Sequence, residues 1–462
     1  MNRQKIMVKN TLIFGIGNFG SKILAYIMVV IYTHYIGKED LGYYDLVLTT
    51  ISLIQPIVMM AFDEGAYRWL VGNENIEKRS VISTSLKATG FTSLCSIAVL
   101  YLLNIHFHFR DVTLIALFSL TSFAYQMILN AVRGLTNNKL YAGSGILNSI
   151  LLLIFEVVGI VFLSMGIEAL LISKILANIM TIIYIYIREP TFHGISRVHF
   201  DRSLAKSLFN YSMPLVPSQL SWWIVNSSDR YIIVGFLGTA FNGIYTISNK
   251  FPTIITTITG IIYFALQETI IKEYSSEDRD KFYSSTFKNY YVLLFALVCC
   301  AIPATKLIIN WFVSTEYIDA WMYTGFLYLS TVFSALSSFL GIGYQISKET
   351  KRSVLSTISA AGVNILINIV FIKAIGLHAA SFSTFVSYAV LFIIRIIHSK
   401  RYFVLHVNWT HFGAMTLATT LIGVISYIGN IGVNIGLTII ASLFLLLMNR
   451  SIIKTILNKK GI

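Results

Sequence analysis

Apolar runs of about 20 residues recur along this chain with little interruption, among them Ile146–Leu163 and the stretch that ends in Leu437–Met448. A helix of that length crosses the ~30 Å hydrocarbon core of a bilayer once. Barrel strands would instead alternate apolar and polar residues over segments of roughly 10. In lipid, backbone polar groups must be satisfied within helices or closed barrels. Continuous runs therefore select helices. Composition agrees: 56% of the 462 residues are hydrophobic and 12% are charged, with a mean hydropathy of +0.72. Soluble domains carry about 25% charged residues. The expected fold class is an all-α integral membrane protein.

The runs place fourteen spans, at about 11–36, 41–66, 83–104, 112–132, 143–164, 167–187, 208–235, 241–266, 289–312, 322–345, 354–372, 376–396, 411–429 and 431–449. A short polar hinge, Gly429 to Asn434, separates the last two. The start, Met1 to Lys9, resembles the basic region of a signal peptide. The apolar run after it is too long for one, contains Lys22 and has no small-residue cleavage site, so an uncleaved first span is expected. With the N-terminus inside, the inner segments hold 27 Lys and Arg, against Lys38, Arg110 and Lys373 outside. Positive residues stay on the cytoplasmic side, so both termini are expected to be cytoplasmic. The net charge of +14 is then a cytoplasmic girdle at the lipid surface, and not a nucleic-acid surface.

A weak repeat relates the two halves at an offset of about 201 residues: Gly37, Gly42 and Tyr44 fall on Gly238, Gly243 and Tyr245. Both triplets lie in the outside turn after the first helix of a half. Parallel repeats about an axis along the membrane normal follow from that equal orientation. The expected organisation is an N-terminal six-helix lobe (1–190), a cytoplasmic linker (191–207), a second six-helix lobe (208–400) and a C-terminal helix pair (401–462), with a cleft between the lobes.

Two patterns are decoys. Gly15-Ile16-Gly17-Asn18-Phe19-Gly20 has the G-x-G-x-x-G spacing, but that fingerprint needs a strand before it and a helix after it. Inside a span its small residues allow close helix approach. His106 and His108 lie in an outside loop with no third ligand. Cys95, Cys299 and Cys300 sit in apolar runs and read as packing residues. No metal site and no catalytic constellation emerges.

Ionisable residues inside spans carry the functional signal, because each costs at least ~2.5 kcal/mol near the bilayer centre if it faces lipid. Asp45 and Lys174 lie close enough to span ends to snorkel, and Glu64 can pair with Arg68. Lys22, Arg230, Lys250 and Lys306 stand out. Lys22 follows Thr11, Gly15 and Asn18; Arg230 follows Gln219, Trp223 and Asn226; Lys250 lies among Thr246, Thr253 and Thr257. Each stripe has the 0, 4, 7, 11 spacing of one helix face. A shared, wet, cationic cleft is expected, with Asp229 and Glu156 as partial counter-charges. Pro214, Pro217 and Pro252 could bend the same helices. The bland alternative is that these charges pin helices together, as a Lys22–Glu156 pair would. Asp229 and Arg230 are neighbours in sequence and are expected not to face each other.

The stretches Asn226-Ser-Ser-Asp-Arg-Tyr-Ile-Ile-Val-Gly235 and Asn242-Gly-Ile-Tyr-Thr-Ile-Ser-Asn-Lys250 resemble the seventh-to-eighth helix signature of Wzx-type polysaccharide flippases. Tyr32-Thr33 through Gly37-Lys-Glu-Asp-Leu-Gly-Tyr-Tyr-Asp-Leu46 resembles the turn between their first and second helices, and Tyr344 to Lys351 a cytoplasmic motif after the tenth helix. The wider superfamily includes lipid II flippases and MATE drug exporters. The resemblance implies two six-helix lobes and export of undecaprenyl-diphosphate-linked oligosaccharide to the outer leaflet of the bacterial inner membrane. Membrane lipid is the second implied partner, with polysaccharide polymerases or glycosyltransferases as protein partners. It places substrate contacts at Lys22, Arg230 and Lys250, with Asn18, Asn226, Trp223 and Lys306 as further candidates.

A diphosphate calls for Lys or Arg, and a sugar for amides and aromatics, so the residues agree with this reading. No cofactor is expected. Coupling to a proton or sodium ion is open, with Asp229 and Glu156 as its candidates. A membrane glycosyltransferase or polymerase would need a sizeable outside loop, and the outside loops are short. A small-cation exporter would favour an acidic cavity. Lipid II export shares the diphosphate chemistry and remains an alternative.

Overall fold

In a computed structural model, residues 28–72, 77–272, 274, 276–347 and 349–448 are described. The first span, with Asn18 and Lys22, falls almost wholly outside them; residues 28–35 form its helical end. The helices are α1 (Lys38–Val58), α2 (Phe62–Gly72), α3 (Lys78–Phe107), α4 (Val112–Gly134), α5 (Asn138–Val157), α6 (Ile167–Arg188), α7 (Arg202–Ser212), α8 (Val216–Leu237), α9 (Thr239–Lys272), α10 (Arg279–Phe312), α11 (Thr324–Ile346), α12 (Thr350–Ile375), α13 (Leu377–Ser399), α14 (Trp409–Ile428) and α15 (Ile431–Met448). No strand occurs among the described residues. Ten helices there are long and apolar enough to cross a membrane, and Ile431–Leu447 is a shorter apolar one. Helices α8 and α9, of 22 and 34 residues, are long enough for a ~30 Å core but carry polar faces. Every expected span from the second onward thus coincides with a described helix, two of them with altered starts or breaks.

The second span is not continuous. After α1 the chain turns at Met59, Met60 and Ala61 before α2 resumes, and Met60 and Ala61 have φ of 47° and 51°. Residues other than glycine avoid this left-handed region. Pro56, near the end of α1, cannot donate its backbone nitrogen and prepares the break. The seventh span starts later than the sequence indicates. Residues 202–212 form the separate amphipathic helix α7, and Pro214 and Pro217 place a 3₁₀ turn, Met213–Leu215, before α8.

Polar caps mark several helix starts. Asn137 accepts from the Leu140 amide at 3.2 Å, Asp201 from Leu204 at 3.0 Å and Asn408 from His411 at 3.0 Å. The repeated outside turns differ in backbone. Gly238 has φ +97° and needs glycine, whereas Gly37 is extended at −68°.

The chain divides into two compact units, one running to Trp223 and the other from Ile224. In unit 1, α4 packs against α2, α3 and α6, and α5 against α6. The linker belongs to this unit. Ser83 and Lys87 donate to the Val198 carbonyl, and the Asp201 amide donates to Thr84. Helix α7 lies on α2, with Trp69 edge-on to Tyr211. The boundary consequently falls inside α8 and not in the polar linker. In unit 2, α13 packs on α11 and α12, while α14 and α15 lie against α10. The C-terminal helix pair is therefore part of unit 2. Rings of Phe287, Phe392 and Phe412 stack through its core, the latter two 5.7 Å apart.

Candidate functional site

Helix α8 sets two adjacent charges inside unit 2. The Arg230 guanidinium donates to Oδ1 of Asp229 at 2.8 Å and to the Asn226 carbonyl, one turn earlier, at 2.9 Å. The sequence expectation that these neighbours would not face each other is corrected. Arginine is long enough to fold back along its own helix, and a buried carboxylate leaves it few better partners. The two side chains are 14% and 5% exposed, so water screens the pair poorly.

Further groups hold the carboxylate. The Tyr245 hydroxyl of α9 donates to Oδ2 of Asp229, and the Arg230 charge lies 5.7 Å from the Tyr245 ring centre. One residue before Asp229, Ser228 reaches Asn364 of α12, which in turn donates to Ser383 and Thr384 of α13 at 3.5 and 3.4 Å. The Tyr388 hydroxyl of α13 donates to the exposed Asn226 at 2.5 Å. Four helices thus converge on one polar node. Asn368 lies one turn beyond Asn364, fully buried, and among the described residues neither of its side-chain polar atoms has a hydrogen-bond partner. A buried amide left so costs free energy unless something polar reaches it.

Tyr245, Tyr388, Asn364 and Asn368 were not singled out as site residues by the sequence. A signal existed: two amides four residues apart in the apolar run 354–372, and a tyrosine on which the weak repeat falls.

The other sequence candidates separate. Asn226 and Arg230 belong to the node. Lys250 is half-buried on α9, where Thr246, Thr253 and Thr257 direct their hydroxyls to their own helix, four residues back. Trp223 is engaged in unit 1. Its indole donates to the Thr49 carbonyl at 3.1 Å and to Ser52 at 3.0 Å. Glu156 is buried on α5 within electrostatic reach of Tyr44. Asn18 and Lys22, and with them any Lys22–Glu156 pair, lie outside the described residues.

Lys306 is committed to structure. Its ammonium donates to the carbonyls of Ser426, Tyr427 and Gly429 at 2.8, 3.1 and 2.9 Å, and it lies 3.8 Å above the Trp321 ring. All three of its protons are used at the end of α14. Arg395 is buried inside α13. It donates to the Ser337 carbonyl at 2.9 Å and to Ser356 and Thr357.

The described residues contain no group of three or more His, Cys, Asp or Glu side chains able to hold a metal ion. The node offers donors to an anion through Arg230 and a donor and an acceptor to hydroxyls through Asn226.

The family model described as "Polysaccharide biosynthesis protein" matches residues 7–271, more than half of the chain. No curated protein is similar enough to match. Among solved structures, the chain is similar to the lipid II flippase MurJ in an inward closed conformation, with a TM-score of 0.69 at 14% identity over 96% of this chain and all of that one. It is also similar to an inward-facing multidrug resistance MATE family transporter of the MOP superfamily, with a TM-score of 0.66 at 14% identity, covering 86% of this chain and 95% of that one. A MATE transporter of Vibrio cholerae gives a TM-score of 0.61 at 12% identity, covering 86% and 96%. At such identities the likeness establishes a shared fold and nothing finer.

Proposed function

Since the chain belongs to the polysaccharide biosynthesis protein family, we propose that this multi-pass membrane protein is a flippase. It translocates undecaprenyl-diphosphate-linked oligosaccharide from the cytoplasmic to the outer leaflet of the bacterial inner membrane, with both termini cytoplasmic. The cargo would be a precursor of O-antigen, capsule, exopolysaccharide or teichoic acid. The observation that carries the reading is Arg230, a cation held largely out of water in a membrane helix beside an exposed amide, Asn226. Its guanidinium offers the planar donor fork that suits phosphate oxygens, and Asn226 offers both donor and acceptor to a sugar hydroxyl. Lys250 and Lys22 supply further positive charge in this reading.

Alternating access of the two lobes moves the headgroup while the prenyl chain stays in lipid. An inside-negative potential favours outward movement of the anion by ~2.3 kcal/mol per charge per 100 mV. Asp229 supplies a coupling step: taking up a proton there cancels the ion pair that restrains Arg230 and frees the guanidinium for diphosphate. Glu156 is the second carboxylate available for coupling by a proton or sodium ion. No catalytic step is assigned to the protein. Polymerases and glycosyltransferases are its expected functional partners.

The test is leaflet transfer of a fluorescent lipid-diphosphate oligosaccharide in liposomes, with Arg230→Ala and Lys22→Ala beside the wild type. Transfer that both folded variants lose supports the flippase. If only lipid II is transferred, the cargo is the peptidoglycan precursor. Transport of a soluble compound without any lipid transfer rejects the flippase in favour of an exporter.

A further inference from the structure

Helix α7 (Arg202–Ser212) turns one side to the protein and another to its surroundings. Leu208 and Ser212, both fully buried, hold it on unit 1, where Ser212 closes on Gly65 of α2. A different side carries Arg202, Lys206, Phe209 and Met213, all exposed, Phe209 by 38% and Met213 by 45%. Their 0, 4, 7, 11 spacing makes one stripe, and the helical backbone of Met213 keeps it in phase. The outward stripe of a surface helix is normally polar throughout. Here its first half is cationic and its second half apolar. Helix α7 passes through the turn Met213–Leu215 directly into α8, so the apolar half lies nearer the membrane helix. The linker fixes the other end. The Asp201 amide donates to Thr84, and Lys87 donates to the Val198 carbonyl, both in the first third of α3.

Cations followed by Phe and Met suit the boundary of a bilayer, where charge belongs with the headgroups and apolar side chains one layer deeper. The surrounding sequence sets the sign. Between residues 190 and 228 the Lys and Arg residues are Arg197, Arg202 and Lys206, and Asp201 is the single carboxylate. Asp201 caps α7, accepting from the Leu204 amide at 3.0 Å. Among the described residues neither Arg202 nor Lys206 enters an ion pair. A protein partner would need about 800 Å² from each side, more than four side chains on an 11-residue helix offer. A phospholipid needs only donors for its phosphate and an apolar edge for its upper chain. We propose that this stripe is a docking surface for anionic phospholipid, with Arg202 and Lys206 at the phosphate level and Phe209 and Met213 in the upper acyl region. Bound lipid holds α7 in the membrane interface and fixes where α8 enters it. That the lipid belongs to the cytoplasmic leaflet rests on the orientation in the flippase reading; the binding chemistry does not.

The experiment measures hydrogen exchange of the full chain in nanodiscs of phosphatidylcholine with increasing phosphatidylglycerol. An anionic surface concentrates protons and slows exchange in every nearby segment, so wild type and variants are compared at each composition. Phosphatidylglycerol is expected to slow the α7 amides of the wild type beyond that common effect, by about fivefold for each cation. The double variant Arg202→Gln, Lys206→Gln should lose this excess, and Arg202→Lys, Lys206→Arg should keep it. Phe209→Ser should speed α7 exchange in every lipid. High salt should remove the phosphatidylglycerol effect and spare that of Phe209. If the neutralised variant does not fold, the charge-conserving variant and the salt dependence decide. Equal slowing in the neutralised variant would overturn the docking surface. Inorganic phosphate giving the same protection in pure phosphatidylcholine would reduce it to an anion site and overturn the lipid assignment. No excess slowing at any composition would also sink it and leave the face to a protein partner. Both leaflets of a nanodisc carry the lipid, so failure of the flippase reading appears separately, as absent leaflet transfer with the α7 response intact.

Discussion

The Tyr245 hydroxyl donates to the Asp229 carboxylate from a neighbouring helix, while Arg230 holds the other oxygen of the same group at 2.8 Å. Two such donors fix the orientation of the buried carboxylate. Removing the Tyr245 hydroxyl with Tyr245→Phe leaves one carboxylate oxygen short of a donor. The expected loss of stability is about 1–3 kcal/mol, read as a lower unfolding midpoint in detergent. Asp229→Ala should destabilise more, because it leaves a largely buried guanidinium without its counter-charge. A midpoint unchanged in Tyr245→Phe would show that the contact contributes nothing.

Lys306 separates structural cations from functional ones. Its ammonium closes three carbonyls at the end of α14, where a positive charge also meets the negative end of the helix dipole. Lys306→Met should lower stability by about 1–3 kcal/mol. Leaflet transfer per folded molecule should stay within about twofold of wild type, since a helix cap contributes no substrate contact. A loss of transfer with an unchanged unfolding midpoint would return Lys306 to the substrate path.

Helix positions were legible in the sequence because hydrophobic run length is a local property. The span at 112–132 is found as Val112–Gly134 and that at 376–396 as Leu377–Ser399. The break at Met60 and Ala61 was not legible, since neither residue favours a left-handed backbone and Pro56, the one local signal, lies inside the apolar run. Side-chain partners were read less well for a related reason. Lys174 looked like a snorkelling residue by its distance from a span end, yet it lines a cavity of unit 1. Lys306 looked like a cleft cation, yet the three carbonyls it binds lie 120 or more residues later in the chain. Periodicity assigns a residue to a helix face but does not identify what that face meets.

Glycine at 65 is set by contact. A Cβ there would come within 2.3 Å of the Ser212 Oγ of α7. Gly65→Ala should therefore cost about 1–3 kcal/mol through overpacking, and Ser212→Ala in the same chain should restore most of it. Gly260, in α9, has nothing among the described residues within 4 Å of the equivalent position, and Gly260→Ala should stabilise by up to ~1 kcal/mol through helix propensity. Chemical unfolding of the three variants checks both signs. A Gly65→Ala chain as stable as wild type would mean that α2 and α7 can move apart at no cost.

Glu189, just after α6, ties the linker to unit 1. It accepts from the Asn137 side chain at 2.9 Å and from the Thr191 hydroxyl at 2.7 Å. Partial burial pushes its carboxyl upward, but the hydrogen bonds from Asn137 and Thr191, with the charge of Lys78, outweigh burial and hold it below the ordinary 4.5. A carboxyl with a depressed folded value stabilises the folded state when ionised. That contribution is fully present above the unfolded value and is lost as pH falls through the folded one. Hydrogen exchange of the linker amides around residues 189–198 should therefore rise, after correction for intrinsic rates, as the pH drops below about 4.5. Glu189→Gln should remove this acid-dependent step and leave the linker less protected at neutral pH. A wild-type acid response that persists unchanged in Glu189→Gln would assign the titration to another carboxylate.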